Sequence, residues 1–242
     1  MQKKDYSASQ DSTSKLTPKL SEDRKDLFKK ATIWGGLILA SVAGLALLII
    51  LAQRGGTPQT PIEKANLPPV TEADITSGKA EGNVVLIEYA DFQCPACATY
   101  NPMLKTLEGE YPDNLKIVYR IFPLNTHKNA ESSAYAAYAA WKMGNFVDMK
   151  DLLYDNQGDW SGENDPTTIF IEYAKDIGLN SSDFEKVMKS KEAKNFVSED
   201  KAEAVNLGLN ATPSFFLGKK QIFPRNIDDF RILINAEIEK IN

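Results

Sequence analysis

The hydrophobic pattern divides this chain of 242 residues into stretches of different character. Residues 1–30 are polar, rich in Ser, Lys, Asp and Gln, and nearly free of large apolar side chains, which predicts a disordered tail. From Ala31 to Ala52 no charge interrupts 22 positions of mostly Leu, Ile, Ala, Val and Gly. As a helix that run spans about 30 Å of hydrocarbon and predicts a transmembrane anchor. A cleaved signal peptide has an apolar stretch of roughly 7–15 residues and a small-residue cleavage site. The longer run here, followed by Gln53-Arg54-Gly55-Gly56, is expected to stay attached. Gly55, Gly56, Pro58, Pro61, Pro68 and Pro69 then mark an extracytoplasmic linker over 53–78. As a flexible coil it reaches on the order of 30 Å.

The remainder, 79–242, reads as one folded domain. Val84 to Ala90 is a dense apolar run suited to a strand buried on both faces. The segment from Cys97 to Glu108 has helical spacing, with Pro102 expected to kink it, and Leu115 to Ile121 reads as a second strand. From Asn129 to Leu207 the pattern turns helical. The predicted helices are 130–141, 146–155, 166–177, 182–191 and 197–207, with Gly144, Gly158, Gly178 and Gly208 near the breaks. Ser214 to Leu217 reads as a strand, Gly218-Lys219-Lys220 as a turn and Asp228 to Ile241 as a closing amphipathic helix. A strand–helix–strand opening, a helical insertion over about 128–207 and a strand–turn–strand–helix ending predict an α/β thioredoxin fold with an inserted helical subdomain.

Charge orients this plan. Eight basic residues precede the apolar run, whereas only Arg54 and Lys64 follow it closely. The tail is therefore expected in the cytoplasm and the domain on the extracytoplasmic side of the cell membrane. Beyond residue 30 the chain carries 20 basic and 28 acidic side chains, a balance that argues against a nucleic-acid surface.

The candidate chemistry lies in Cys94-Pro95-Ala96-Cys97, the two cysteines of the whole chain, where the first strand gives way to the first helix. Such a pair can close into a small ring and reopen, carrying two electrons and two protons. At the helix N-terminus, unpaired N–H groups and the helix dipole favour a thiolate at Cys94, with a pKa that falls to about 3.5–7.5 for cysteines so placed. Cys94 is then the attacking thiol and Cys97, one turn in, the resolving one. Two other readings compete. A structural zinc wants four ligands, and His127 is the sole histidine to join the pair. A structural disulfide across so short a loop removes little chain entropy.

The sequence resembles the DsbA-like thiol:disulfide oxidoreductases, particularly their membrane-anchored bacterial branch. The residues that carry the resemblance are Glu88-Tyr89-Ala90-Asp91-Phe92-Gln93-Cys94-Pro95-Ala96-Cys97, Phe122-Pro123-Leu124 with His127 and Ala130, Met143-Gly144-Asn145-Phe146, and Leu207-Gly208-Leu209 followed by Thr212-Pro213-Ser214-Phe215-Phe216. The resemblance implies that Glu88 is a buried acid moving protons for the resolving cysteine. Apolar Leu86 and Ala90 on the same strand face favour that burial over a solvent-facing edge. It also implies that Pro213 is cis and faces the cysteines, and that the backbone of Thr212 binds an extended peptide by β-augmentation. His127 is read as a structural hydrogen-bonding residue, and Tyr135, Tyr138 and Trp141 as helix packing.

The implied activity is an oxidase that donates the Cys94–Cys97 disulfide to unfolded or reduced extracytoplasmic proteins, with no cofactor beyond that disulfide and a quinone-linked membrane partner as reoxidant. If Cys94 titrates near pH 5, the reduced form gains roughly 2.7 kcal/mol at pH 7 and the potential rises by about 60 mV. Thioredoxin and a strong oxidase differ by about 150 mV, so this alone does not set the direction. Strongly oxidising members carry Pro-His between the cysteines, where this chain has Pro95-Ala96. A reductase or isomerase, or a non-catalytic holdase for unfolded chains, are the alternatives.

Overall fold

The computed structural model describes residues 30, 33–45, 61–63, 66–78 and 83–241. The chain divides into two units, Met1–Thr57 and Pro58–Asn242. In the first, residues 33–45 form a helix, α1, on which Trp34, Leu37, Leu39 and Val42 are all exposed. The tail 1–29, residues 31–32 and 46–52 of the expected anchor, and the start of the linker lie outside the described residues. Among the described residues no helix is long and apolar enough to cross a membrane.

The second unit is built on a mixed sheet with strand order β1-β6-β5-β3-β4-β2. Its elements are β1 (Ile62–Glu63), β2 (Ile75–Gly78), β3 (Val84–Ala90), α2 (Pro95–Glu110), β4 (Leu115–Ile121), α3 (Ala130–Lys142), α4 (Phe146–Asp155), α5 (Gln157–Trp160), α6 (Thr167–Asp176), α7 (Ser181–Met188), α8 (Lys191–Asn206), β5 (Ser214–Leu217), β6 (Lys220–Ile222) and α9 (Ile227–Ile241). β3 and β4 are parallel, joined by α2, while β5, β6, β2 and β1 are antiparallel additions. This is the expected thioredoxin-like plan with its helical insertion, α3 to α8.

Strand alternation divides the core between the two faces of the sheet. Leu86, Ile117, Tyr119, Phe215 and Leu217 pack on one side with α2, α4 and α9, whereas Ile87, Tyr89, Val118 and Phe216 pack on the other with Leu67 and the end of α8. Gly208 ends α8 with φ 73°, and the bonds Gly208 N–H to Val205 O (2.9 Å) and Leu209 N–H to Ala204 O (3.0 Å) complete a Schellman cap that turns the chain toward Thr212.

Two expectations need correction. The segment 53–78 is not a free linker along its described length: β1 pairs with β6, β2 pairs with β4, and Leu67 is buried. The Arg120 guanidinium holds it down by donating to the carbonyls of Pro68 (3.3 Å) and Pro69 (3.1 Å) and to Asp74 Oδ1 (2.9 Å). The helix expected from 197 starts at Lys191, because the Ser190 hydroxyl accepts the Ala193 N–H (3.1 Å) and caps it there.

Candidate active site

The site is assembled where β3 ends. Asp91, buried in the turn, accepts the Gln93 N–H on Oδ1 (2.8 Å) and the Leu124 N–H on Oδ2 (2.9 Å), while its carbonyl accepts the Cys94 N–H (3.0 Å). His127 Nδ1 meets Asp91 Oδ2 at 2.7 Å, the structural bonding role expected of it. The turn thus fixed sets Cys94 as the N-cap of α2, with Pro95 in the first turn.

Cys94 is 7 % exposed, Cys97 is fully buried, and both are free thiols. The Cys94 thiol donates to the Thr212 carbonyl (3.3 Å). Cys94 titrates at about 5: the Cys97 thiol stabilises its thiolate most, the Thr212 side chain and the N–H groups of Cys97 and Ala96 add to this, and burial opposes them. Cys97 is pushed well above its ordinary value by burial first, then by its hydrogen bond to Cys94 and the charge of Glu88. One thiol is ionised at neutral pH and the other is a firm thiol. That is the asymmetry a nucleophile and a resolving group require. Pro95 and Ala96 are exposed between them.

Glu88 lies on β3, 1 % exposed, with Tyr119 beside it on β4 and Phe215 on β5. Among the described residues its Oε1 has no hydrogen-bond partner. Burial pushes its carboxyl up to about 8, the Lys150 charge pulls it down and the Cys94 charge adds to the rise. The Thr212–Pro213 peptide is cis, and the Thr212 carbonyl meets Cys94, so the structure gathers the expected residues in one place. Tyr138 and Trp141 pack on each other and on Phe196, as helix packing.

Several residues escaped the sequence reading. Gln157 on α5 donates to the carbonyls of Phe92 (2.7 Å) and Cys94 (3.1 Å). Gln93 donates to Ser161 O (3.0 Å) and accepts the Asn129 N–H (2.6 Å), so the inserted helices are bonded directly to the cysteine loop. Nothing in the sequence pairs these amides across more than 30 positions. Lys150 is different. It falls on the inward stripe of α4 among Phe146, Met149, Leu153 and Tyr154, and a lysine in that stripe was the signal. Among the described residues no group of His, Cys, Asp or Glu is placed to hold a metal ion.

A family model described as Thioredoxin matches residues 70–236. The fold is similar to that of BdbD from Bacillus subtilis in its oxidised form (TM-score 0.64, 19% identity, 75% of this chain and 100% of that one). It is equally similar to α-DsbA1 from Wolbachia pipientis (TM-score 0.64, 20% identity, 75% and 100% of the two chains). A curated relative, the Na(+)/H(+) antiporter NhaA 1 of Mycolicibacterium gilvum, is 30% identical over 194 residues, 77% of this chain. This chain spans 30% of that relative's length.

Proposed function

The chain belongs to the thioredoxin family, and on that premise we propose that it is an extracytoplasmic thiol:disulfide oxidoreductase, an oxidase that passes the Cys94–Cys97 disulfide to folding proteins. The carrying observation is the split between a Cys94 that titrates at about 5 and a Cys97 pushed well above its ordinary value. A substrate thiolate attacks Cys94 Sγ, the Cys94–Cys97 bond breaks, and Cys97 leaves with the electron pair. A sulfur of such high proton affinity leaves best as a thiol, and Glu88 is the acid beside it to supply the proton. A second substrate thiolate then attacks the substrate sulfur of the mixed disulfide and expels Cys94, which is stable as a thiolate. The substrate gains a disulfide, and the protein holds two electrons until a quinone-linked membrane partner removes them. Thr212, beside cis-Pro213, offers its backbone to the substrate strand.

Support for placement beyond the cytoplasmic membrane comes from the basic tail ahead of the apolar run 31–52. Ala96, where strongly oxidising relatives have His, favours a second reading, a reductase or isomerase. The equilibrium potential of the full chain in glutathione buffers decides between them. A value above about −150 mV supports the oxidase, and one near −270 mV overturns it. Cys94→Ser that still protects unfolded clients, with no loss of cell phenotype, supports the holdase instead.

A further inference from the structure

Lys150 is 3 % exposed, at a position on α4 where every neighbour on the inward stripe is apolar or aromatic. Its ammonium donates to Asn101 Oδ1 and to Asp151 Oδ1 (2.7 Å), and Asn101 Nδ2 donates to the same Asp151 oxygen (3.0 Å). Asn101 is itself buried and stands one turn beyond Cys97 on the same face of α2. On the other side Lys150 Nζ lies 5.7 Å from the centre of the Tyr119 ring, and Tyr119 is the register partner of Glu88. The cation is therefore wedged between the helix of the resolving cysteine and the strand pair that carries the buried acid.

A lysine buried this deeply, with a partner carboxylate only partly covered, is a poor stabilising device, since an apolar side chain of similar volume is often as good or better. Among the described residues the charged and titratable groups that face Glu88 are Cys94 at the N-cap of α2, Cys97 within it, Tyr119 from β4, and Tyr154 and Lys150 from α4, while β5 contributes Phe215. Among them Lys150 is the positive charge.

We propose that Lys150 is a positioning residue for the exchange reaction: its ammonium, held by Asn101 and Asp151, sets the proton affinity of Glu88 and so the pH range in which Cys97 is supplied with its proton. The inserted helices thus contribute a control element as well as a cover. The proposal rests on the oxidoreductase reading above.

The test follows the Glu88 carboxyl in the reduced full chain by infrared difference spectroscopy, together with the pH profile of exchange with a reduced dithiol peptide. Lys150→Met is expected to move the carboxyl midpoint, about 8 in the unaltered protein, up by about one unit or more, and Lys150→Arg to bring it back. Asp151→Asn leaves the Lys150 charge less compensated and moves the midpoint down. A folded Lys150→Met with an unmoved midpoint overturns the proposal. If that variant does not fold, Asp151→Asn decides, and a midpoint that stays or rises overturns it. Absence of exchange in the unaltered protein sinks the oxidoreductase reading, yet the infrared midpoints still report on Lys150.

Discussion

Two buried charge clusters sit one residue apart in the same pair of strands, on opposite faces of the sheet. On one face Glu88 stands beside Tyr119, and on the other Tyr89 stands beside Arg120. Arg120 is 3 % exposed and saturated with partners: Asp74 (2.9 Å), Glu203 (2.8 Å), the Tyr89 hydroxyl (3.0 Å) and the carbonyls of Pro68 and Pro69. Glu88 is as deeply buried, but among the described residues its Oε1 is unpartnered, as are the nearby Tyr154 and Thr212 hydroxyls. The difference separates a structural charge from a chemical one. A charge with every donor occupied is locked in one state, whereas a carboxyl left short of donors passes easily between its acid and its base.

The hardest way to break the comparison is to remove the saturated charge. Arg120→Met strands Asp74 and Glu203 and frees the strap at Pro68 and Pro69, so stability is expected to fall by about 3–5 kcal/mol in urea denaturation. The Cys94 titration in the folded fraction stays at about 5. A matching change in that titration would mean that the two faces are not independent.

A pH series sharpens the contrast. Glu88 is raised from 4.5 to about 8, so the folded state holds its proton where the unfolded state has lost it. Its contribution is fully present below pH 4.5 and is lost as pH climbs to about 8, a decline of about 5 kcal/mol. Asp200, which accepts the Ile121 N–H (2.7 Å) on the Arg120 face, is raised from 3.8 to about 7, by burial first and by the Glu203 charge, and gives a decline of the same sign. Glu88→Gln is expected to remove the first decline and to slow exchange at least about tenfold. Asp200→Asn removes the second and leaves the exchange rate within about twofold, because no thiol is beside it. Stopped-flow exchange with both variants reads this directly, and equal slowing by the two would end the distinction.

Much of this site was legible in sequence because it is local. The run Val84 to Ala90, the loop to Cys97 and the helix start follow from residues within about ten positions of one another. The cis bond at Pro213 came through resemblance, since nothing local distinguishes it from a trans proline. What was illegible depends on partners far along the chain. β2, Ile75-Thr76-Ser77-Gly78, is too short and mixed to announce itself, and it exists because β4 offers an edge. Its Gly78 takes φ 77° there, and an added Cβ would stand 2.8 Å from Leu115 O. Nothing in the strand pattern of Leu115 to Ile121 marks Arg120 for burial, which follows from the strap between Leu67 and Asp74. Lys150 was readable in principle, as a lone charge in an apolar stripe.

A smaller effect belongs to Cys97. Its thiol is the foremost stabiliser of the Cys94 thiolate, so Cys97→Ala is expected to raise the Cys94 midpoint from about 5 by more than about one unit. Thiolate ultraviolet absorbance measures it. An unchanged midpoint would hand that role to the helix N-terminus alone.

The smallest effect tests whether a shortage of partners is itself useful. In the thiol state Cys94 donates to the Thr212 carbonyl, and the buried Thr212 hydroxyl has no partner among the described residues. On ionisation the sulfur can only accept, and the same hydroxyl becomes its donor, which is how Thr212 helps to lower Cys94. Thr212 is therefore better satisfied in the thiolate state than in the thiol state, the mirror image of Arg120, which is satisfied always. Thr212→Val removes a buried hydroxyl that gains nothing while Cys94 is protonated. Stability at pH 4 is expected to hold within about 0.5 kcal/mol, while the Cys94 midpoint rises by a few tenths to about one unit. Denaturation at that pH and thiolate absorbance together check the pair of outcomes. A clear loss of stability at pH 4 would show the hydroxyl already bonded in the thiol state, and the contrast between the two faces would then rest on Glu88 alone.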